Sequence, residues 1–146
     1  MKPLGTADTI KGRRDDVWAF FTNFEESAKH LHWAVKVEFH SAHRTGLGAE
    51  WTEHDEDEGE IIVSHRKIIE FDQPHRYVMT SDNNDSFETM EFRFTDQGEE
   101  TLVAFDLAIK PKGLLRSMFV RAGKGLIFDM MNKDLDRIKA AFEAGR

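Results

Sequence analysis

Residues 98–110 read GEETLVAFDLAIK, and this stretch decides the class of fold. Its side chains alternate between a small or polar face and an apolar face that holds Val103, Phe105, Leu107 and Ile109. A period of two predicts a half-buried β-strand. Directly afterwards the apolar residues recur every three or four positions, which predicts a long helix from Leu114 to Ala144. An amphipathic helix of this kind needs a sheet against which it can bury its apolar side.

The chain before residue 98 repeats the same extended pattern, with turn residues between the segments. Strands are predicted at residues 5–12, 35–39, 49–54, 60–71, 76–81, 86–95 and 100–110. Between the first two strands, the apolar residues from Val17 to Phe24 have helical spacing. Asn23 is expected to end that helix, and Glu25 to Leu31 form a second short one. Consecutive hairpins favour an antiparallel sheet, so the predicted class is α+β.

Two glycines lie inside the predicted C-terminal helix, at Gly123 and Gly125. Each costs roughly 1 kcal/mol relative to alanine in a helix interior. One alternative is that the helix continues through the two glycines, with a kink or with a thin helix wall beside a cavity. The other is that the helix breaks, so that residues 113–123 form a separate short turn or lid. The sequence leaves both alternatives open.

Composition sets the broad class. The 146 residues are expected to form one domain, 1–146, and the absence of cysteine excludes disulfides, thiolate metal sites and a cysteine nucleophile. The net charge of −7 argues against nucleic acid as a partner. No apolar run approaches the roughly 20 residues of a membrane span, and the N-terminus has no secretory pattern. We therefore expect a cytoplasmic protein.

An acidic run, EHDEDEGE at residues 53–60, contains six carboxylates. Its spacing suggests a calcium loop, but the twelfth position counted from Asp55 is Arg66 instead of the glutamate that an EF-hand requires. The run lies between two extended segments, so it is expected to be a solvated hairpin tip whose charge prevents edge pairing. A docking surface for a basic partner is the alternative.

The seven histidines do not indicate a metal site, and no metal or other cofactor is expected. His30 and His32 are two positions apart, so they would face different sides of a helix. His65 is the candidate catalytic residue. If Ile61, Val63 and Ile69 face the interior, His65 faces it too and is able to orient a carbonyl or transfer a proton. If Ile62 and Ile68 face inward instead, His65 is solvated.

Several motifs together resemble a known family. They are DDVWAFFTNFEES (15–27), Trp33, RTGLGAEW (44–51), IIEFDQPHRYVM (68–79), GEETLVAFDL (98–107) and NKDLDRIKAAFE (132–143). This pattern resembles the START-like superfamily (SRPBCC), and within it the polyketide cyclase/dehydrase and lipid-transport group. The resemblance covers nearly the whole chain. It implies a helix-grip fold, in which a strongly curved antiparallel sheet wraps around the C-terminal helix and a cavity between them holds an apolar ligand.

The resemblance places a group of large side chains at the cavity or in the core. The expected lining residues are Trp33, Trp51, Val63, His65, Phe92, Phe105, Met118, Phe119, Leu126 and Met130. Apolar side chains of this kind fill a dry core as readily as they line a pocket. The polar side chains of Glu91 and Arg93 are further candidates for orienting a ligand.

Three functions remain open from the sequence. The first is binding or transport of a hydrophobic small molecule, lipid or polyketide-like, and the second is a cyclase or dehydratase that uses a cavity histidine or carboxylate. The third is a protein-interaction module built on the acidic hairpin 53–60. A basic cluster of Lys110, Lys112, Arg116, Arg121 and Lys124 either meets an anionic membrane surface or balances the acidic residues. Ligand identity and oligomeric state do not follow from the sequence.

Overall fold

A computed structural model describes residues 3–146, which form seven strands and four helices. In chain order the elements are β1 (Leu4–Lys11), α1 (Arg14–Thr22), α2 (Phe24–Leu31), β2 (Ala34–Phe39), β3 (Glu50–Asp57), β4 (Glu60–Asp72), β5 (Arg76–Asp82), β6 (Ser86–Asp96), β7 (Glu100–Pro111), α3 (Leu114–Ala122) and α4 (Lys124–Ala144). The two short helices after the first strand and all seven strands agree with the predicted order.

The strands form one antiparallel sheet in the order β1-β7-β6-β5-β4-β3-β2. Each strand pairs with its chain neighbour from β2 to β7, and β1 closes the order by pairing with β7. The curved sheet carries α1, α2 and α4 on one side, and α4 contacts both β1 and α2. The α+β class and the helix-grip architecture are therefore confirmed.

Aromatic side chains fill the space between the sheet and these helices. The rings of Phe92 and Phe105 stack with centroids 4.5 Å apart, and those of Phe24 and Trp51 stack at 5.1 Å. Helix α4 closes this core with its buried residues, which are Met131, Leu135 and Ile138. Burial of each such side chain stabilises the fold by about 1.5–3 kcal/mol relative to exposure.

The predicted single helix from Leu114 to Ala144 is wrong, because the chain breaks at Gly123 between α3 and α4. Gly123 still donates its N–H to Phe119 O at 2.9 Å, but a Cβ at this position would lie 3.1 Å from the same oxygen. Of the two alternatives, the separate segment 113–123 is the one observed. Gly113, with φ of 100°, lets the chain leave β7 in a conformation that other residues rarely adopt.

The acidic run is also different from the prediction. Strand β3 continues to Asp57, so the turn consists only of Glu58 and Gly59, which have φ of 50° and 84°. Alternate residues of β3 face the interior, and Glu53 and Asp55 are consequently buried, with 0% and 8% of their surface exposed. The expected solvated tip is wrong for these two carboxylates.

Candidate functional site

A row of polar side chains crosses the inner face of the sheet. Arg66 on β4, Ser81 on β5 and Glu88 on β6 are directly opposite one another in the strand register. The next row toward the core is apolar and consists of Ile68, Met79, Met90 and Leu107. Polar groups inside a sheet disfavour a dry core and are typical of ligand or catalytic sites.

Arg66 is the centre of a buried ionic cluster. Its Nε lies 3.0 Å from Glu53 Oε2, and its Nη2 donates to Asp55 Oδ2 at 3.2 Å. Glu53 also accepts a hydrogen bond from Trp51 Nε1 at 3.0 Å. On the other side, His32 Nδ1 lies 3.2 Å from Glu53 Oε2. One cation thus faces two buried carboxylates, with a histidine at the rim.

This arrangement separates the pKa values of the two carboxylates. Burial opposes ionisation of Glu53, but the charges of Arg66 and His32 prevail and hold its pKa well below the usual range. Burial and the neighbouring Glu53 carboxylate raise the pKa of Asp55 to about 9. Two carboxylates that share one cation in a low-dielectric site cannot both ionise cheaply. At neutral pH Glu53 is therefore the anion and Asp55 is a neutral acid.

Helix α2 ends at this cluster in a strained conformation. Trp33 follows the helix with φ of 58°, which is unusual for a bulky side chain and costs on the order of 1–3 kcal/mol. Contacts on both sides hold it there. Its carbonyl accepts from Glu56 N at 3.1 Å, and the guanidinium of Arg137 lies 4.5 Å from the centre of its ring.

Arg137 on α4 ties the end of α2 to the C-terminal helix. Its Nε donates to His30 O at 3.0 Å and its Nη2 donates to Leu31 O at 3.1 Å. These carbonyls belong to the last turn of α2 and have no partner within that helix, so the arginine caps it. Arg137 also donates to Asp134. Burial raises the pKa of Asp134, although the charges of His32 and Arg137 oppose the shift.

A cleft of about 280 Å³ opens between β3, β4 and α4 beside these residues. Leu31, Trp33, Ile62 and Met130 supply apolar surface, and His32, Asp55, Glu56, Asp57, Lys133, Asp134 and Arg137 supply polar groups. A hydrogen bond with the Glu53 carboxylate contributes to the raised pKa of Asp55, but within residues 3–146 no N–H or O–H group donates to its buried Oδ1. A neutral carboxylic acid in this position is able to donate a hydrogen bond or a proton to a molecule in the cleft.

Two predicted ligand residues, Trp33 and Met130, line this cleft. A third, Trp51, contacts the cluster through Glu53 but belongs to the core. Phe92 and Phe105 pack in the core with no open space between them. For these last two, the interpretation as plain core is the one that the geometry supports.

Other predicted residues lie outside the cleft. Met118, Phe119 and Leu126 are 60–69% exposed, since α3 and the first turn of α4 stand away from the concave face. Val63 and His65 are exposed on the outer face, because Ser64, Arg66 and Ile68 occupy the inner positions of β4. His65 Nε2 lies 2.6 Å from Glu50 Oε1 and contacts no residue of the cluster. The interpretation that His65 faces the interior is therefore wrong, and the orientation with Ile62 and Ile68 inward is observed.

Glu91 and Arg93 form a surface network instead of a ligand site. Arg93 Nη1 donates to Glu91 Oε1 at 2.8 Å, and Arg76 donates to the other oxygen of Glu91. Within residues 3–146, no three His, Asp or Glu side chains are arranged to hold a metal ion.

Sequence reasoning missed the carboxylates and arginines that build the site. The prediction of a solvated turn assigns the same environment to every charge of the acidic run. The alternation of side chains along a strand is the signal that identifies these two carboxylates. If Trp51 is buried, Glu53 and Asp55 lie on the same face of the strand and are buried with it. Asp134 and Arg137 have helical spacing with the buried Met131 and Leu135, but their partners on α2 and β3 are distant in sequence.

Comparison with known proteins places the chain in a family. The profile of the family described as "Activator of Hsp90 ATPase homolog 1-like protein" matches residues 11–142. No curated protein sequence shows significant similarity to the chain.

Solved structures share the fold at low sequence identity. The protein TTHA0849 from Thermus thermophilus superimposes with a TM-score of 0.80 at 14% identity, and 99% of each chain is covered. A START superfamily protein from Mycobacterium smegmatis gives 0.78 at 12% identity, also with 99% of each chain. The Zhui aromatase/cyclase from Streptomyces sp. R1128 gives 0.74 at 14% identity over 97% of this chain and 93% of that chain. The START-like resemblance is confirmed, and the chain belongs to the Activator of Hsp90 ATPase homolog 1-like protein family.

Proposed function

We propose that this protein binds a small, largely apolar molecule that carries a hydrogen-bond acceptor, in the cleft between the sheet and helix α4. The observation that carries the proposal is Asp55: a buried carboxyl group, with a raised pKa, whose Oδ1 has no partner in residues 3–146 and which lines the cleft. A ligand carbonyl or ether oxygen at this position would supply the missing partner. Supplying it removes the cost of an unsatisfied buried polar group, about 1–3 kcal/mol.

The surroundings of Asp55 support an apolar ligand body. Trp33, Ile62 and Met130 border the cleft, and a thioether adapts to different ligand shapes. The cleft volume of about 280 Å³ is just below the usual range for small-molecule pockets. A compact ligand, or one end of a longer lipid or polyketide-like chain, fits this size.

Proton-transfer catalysis is the second candidate function, and the ionic cluster favours it. A protonated Asp55 is able to act as a general acid toward a bound carbonyl or a leaving hydroxyl. The ionised Glu53, held by Arg66 and His32, keeps the proton on Asp55 until a substrate arrives. The aromatase/cyclase among the structural neighbours has the same fold. A dehydration or cyclisation at this site would use Asp55 instead of the His65 that the sequence suggested.

The test begins with native mass spectrometry of the protein purified from cells, followed by organic extraction of any bound molecule. Binding of that molecule, or of an apolar carbonyl-containing fluorescent probe, is then compared in Asp55→Asn, Asp55→Leu and the exposed control Asp16→Asn. Asparagine retains a donor and leucine does not, so we expect only Asp55→Leu to lose affinity, by about tenfold or more. Equal affinity in all variants would contradict the proposed site.

Turnover separates the two candidates. Asparagine donates a hydrogen bond but cannot deliver a proton, so an enzyme would lose activity in Asp55→Asn while keeping its affinity. A binding protein releases the extracted molecule chemically unchanged. An apo mass together with no probe binding would contradict both functions.

A further inference from the structure

Helix α3 directs its largest side chains to solvent. Its large apolar side chains, Leu114, Leu115, Met118 and Phe119, are 60–81% exposed, and the helix buries no residue at all. At about 100° per residue, these four positions lie within an arc of roughly 140°. A helix on a water-soluble protein normally directs such an arc toward the core.

The opposite side of α3 faces the protein. Ser117, Val120 and Arg121 border a cleft of about 730 Å³ against the ends of β6 and β7, together with Lys110 and Lys124. The side of the helix that carries Ser117 and Val120 is therefore turned toward the protein, and the arc of four large apolar side chains is turned to solvent. Arg116 and Arg121 flank the apolar arc, one at each margin.

Charge is strongly segregated in this region. Between Asp106 and Asp129 there is no acidic residue, whereas the same segment contains Lys110, Lys112, Arg116, Arg121 and Lys124, in a chain of net charge −7. Lys112 and Arg116 pair with Asp82 and Asp85. Among residues 3–146, no carboxylate forms an ion pair with the cationic groups of Lys110, Arg121 or Lys124, so their charge is available to an anionic partner.

We propose that α3 is an interfacial helix that docks the protein on an anionic lipid surface. An exposed apolar arc bordered by cations is the pattern of helices that lie in the plane of a membrane interface. The apolar side chains enter the acyl boundary while Arg121 reaches the headgroups. A second copy of this chain is a poorer occupant, because a two-fold contact through this surface would place the same cations opposite one another. No helix in residues 3–146 combines the length and hydropathy of a membrane span.

The test is co-sedimentation with phosphatidylcholine vesicles that either contain or lack phosphatidylglycerol. We expect binding to the anionic vesicles only, weakened by added salt because exposed charges are screened. The double variant Leu115→Glu/Phe119→Glu should bind at least about tenfold more weakly, since two apolar groups no longer enter the bilayer. The matched control is Leu47→Glu, which changes a similarly exposed leucine in the loop before β3. Because Leu115, Phe119 and Leu47 are all exposed, we expect each variant to fold.

Several outcomes would overturn the proposal. They are equal binding to neutral and anionic vesicles, no binding to either, and equal binding of the double variant and the wild type. A dimer in analytical ultracentrifugation that the double variant dissociates would instead identify a second copy as the occupant. Inorganic phosphate that displaces the protein at constant ionic strength would identify a free-anion site. None of these outcomes depends on Asp55, so this proposal and the proposed function fail separately.

Discussion

Arg66 Nε lies 3.0 Å from Glu53 Oε2, and both side chains are almost completely shielded from solvent. Removing one member of a buried ion pair leaves the other charge without compensation. We expect Glu53→Gln to lower the free energy of unfolding by about 3–5 kcal/mol. Urea denaturation measures this loss. The control is Glu99→Gln, which breaks the exposed pair with Arg13 and should change stability by at most about 1 kcal/mol. Equal losses in both variants would contradict the importance of the buried pair.

Asp55 should make folding stability depend on pH. An unfolded aspartate loses its proton near pH 4, whereas folded Asp55 retains it up to a pKa of about 9. Its contribution is thus fully present below about pH 4 and is lost as the pH rises toward 9. An asparagine side chain does not ionise, so Asp55→Asn should be more stable than the wild type at pH 8, by on the order of 2 kcal/mol.

The measurement is urea denaturation at several values between pH 5 and 9. The advantage of Asp55→Asn should shrink as the pH falls, and Asp16→Asn serves as the exposed control. The low pKa of Glu53 acts in the opposite direction but in a separate window: its stabilisation is present above about pH 4 and is lost only at lower pH. A difference between Asp55→Asn and the wild type that does not vary with pH would show that Asp55 is not the titrating group.

Ligand affinity should also depend on the protonation state of Asp55. If Asp55 donates a hydrogen bond to a carbonyl probe, affinity should be constant up to about pH 8 and fall as the pH rises through about 9. Ionised Asp55 has no proton to donate, so its oxygen and the carbonyl oxygen of the probe would be two acceptors that face each other. Asp55→Asn should bind the probe without this pH dependence, as measured by fluorescence titration. A wild-type profile that stays flat to pH 10 would show that the ligand does not accept a hydrogen bond from Asp55.

Arg137 should stabilise the junction between α2 and α4. Arg137→Met removes two hydrogen bonds to the carbonyls of His30 and Leu31 and the cation above Trp33. We expect a loss of roughly 2–3 kcal/mol from these contacts together, with a change in tryptophan fluorescence because Trp33 loses its covering group. Lys133→Met, one turn earlier on the same helix and exposed, is the control. Unchanged fluorescence in Arg137→Met would contradict the stacked arrangement.

The fold was predictable from local periodicity. The alternation at Val103 to Ile109 and the helical spacing at Val17 to Phe24 each report a repeat of the backbone, and one buried face is enough to reveal it. The break at Gly123 was recognisable as an alternative but not decidable. It depends on whether α3 finds a surface to pack on, and α3 is the helix that buries no side chain.

The site was not predictable, because it consists of exceptions to the hydrophobic pattern. Strand β4 carries Ile61 and Val63 on its outer face and Ser64 and Arg66 on its inner face, so apolarity alone did not decide between the two orientations. Glu53 compensates the buried charge of Arg66, and it lies on the adjacent strand. Periodicity shows that a strand has two faces, whereas the choice between them depends on such contacts.

His65 tests which face of β4 binds the ligand, because the sequence made it the catalytic candidate and the structure places it on the outer face. Its Nε2 pairs with Glu50, and the ring stacks on His40 with centroids 6.0 Å apart. An exposed pair of this kind contributes at most about 1 kcal/mol. We therefore expect His65→Ala to change stability by no more than that and to leave probe affinity and any turnover unaltered. Fluorescence titration and an assay of the extracted ligand measure both, beside Asp55→Leu as the variant that should lose affinity. If His65→Ala lost affinity or turnover while Asp55→Leu did not, the ligand would have to bind on the outer face of β4. His65 does not contact the ionic cluster, so it could not produce such a loss from the other side of the sheet.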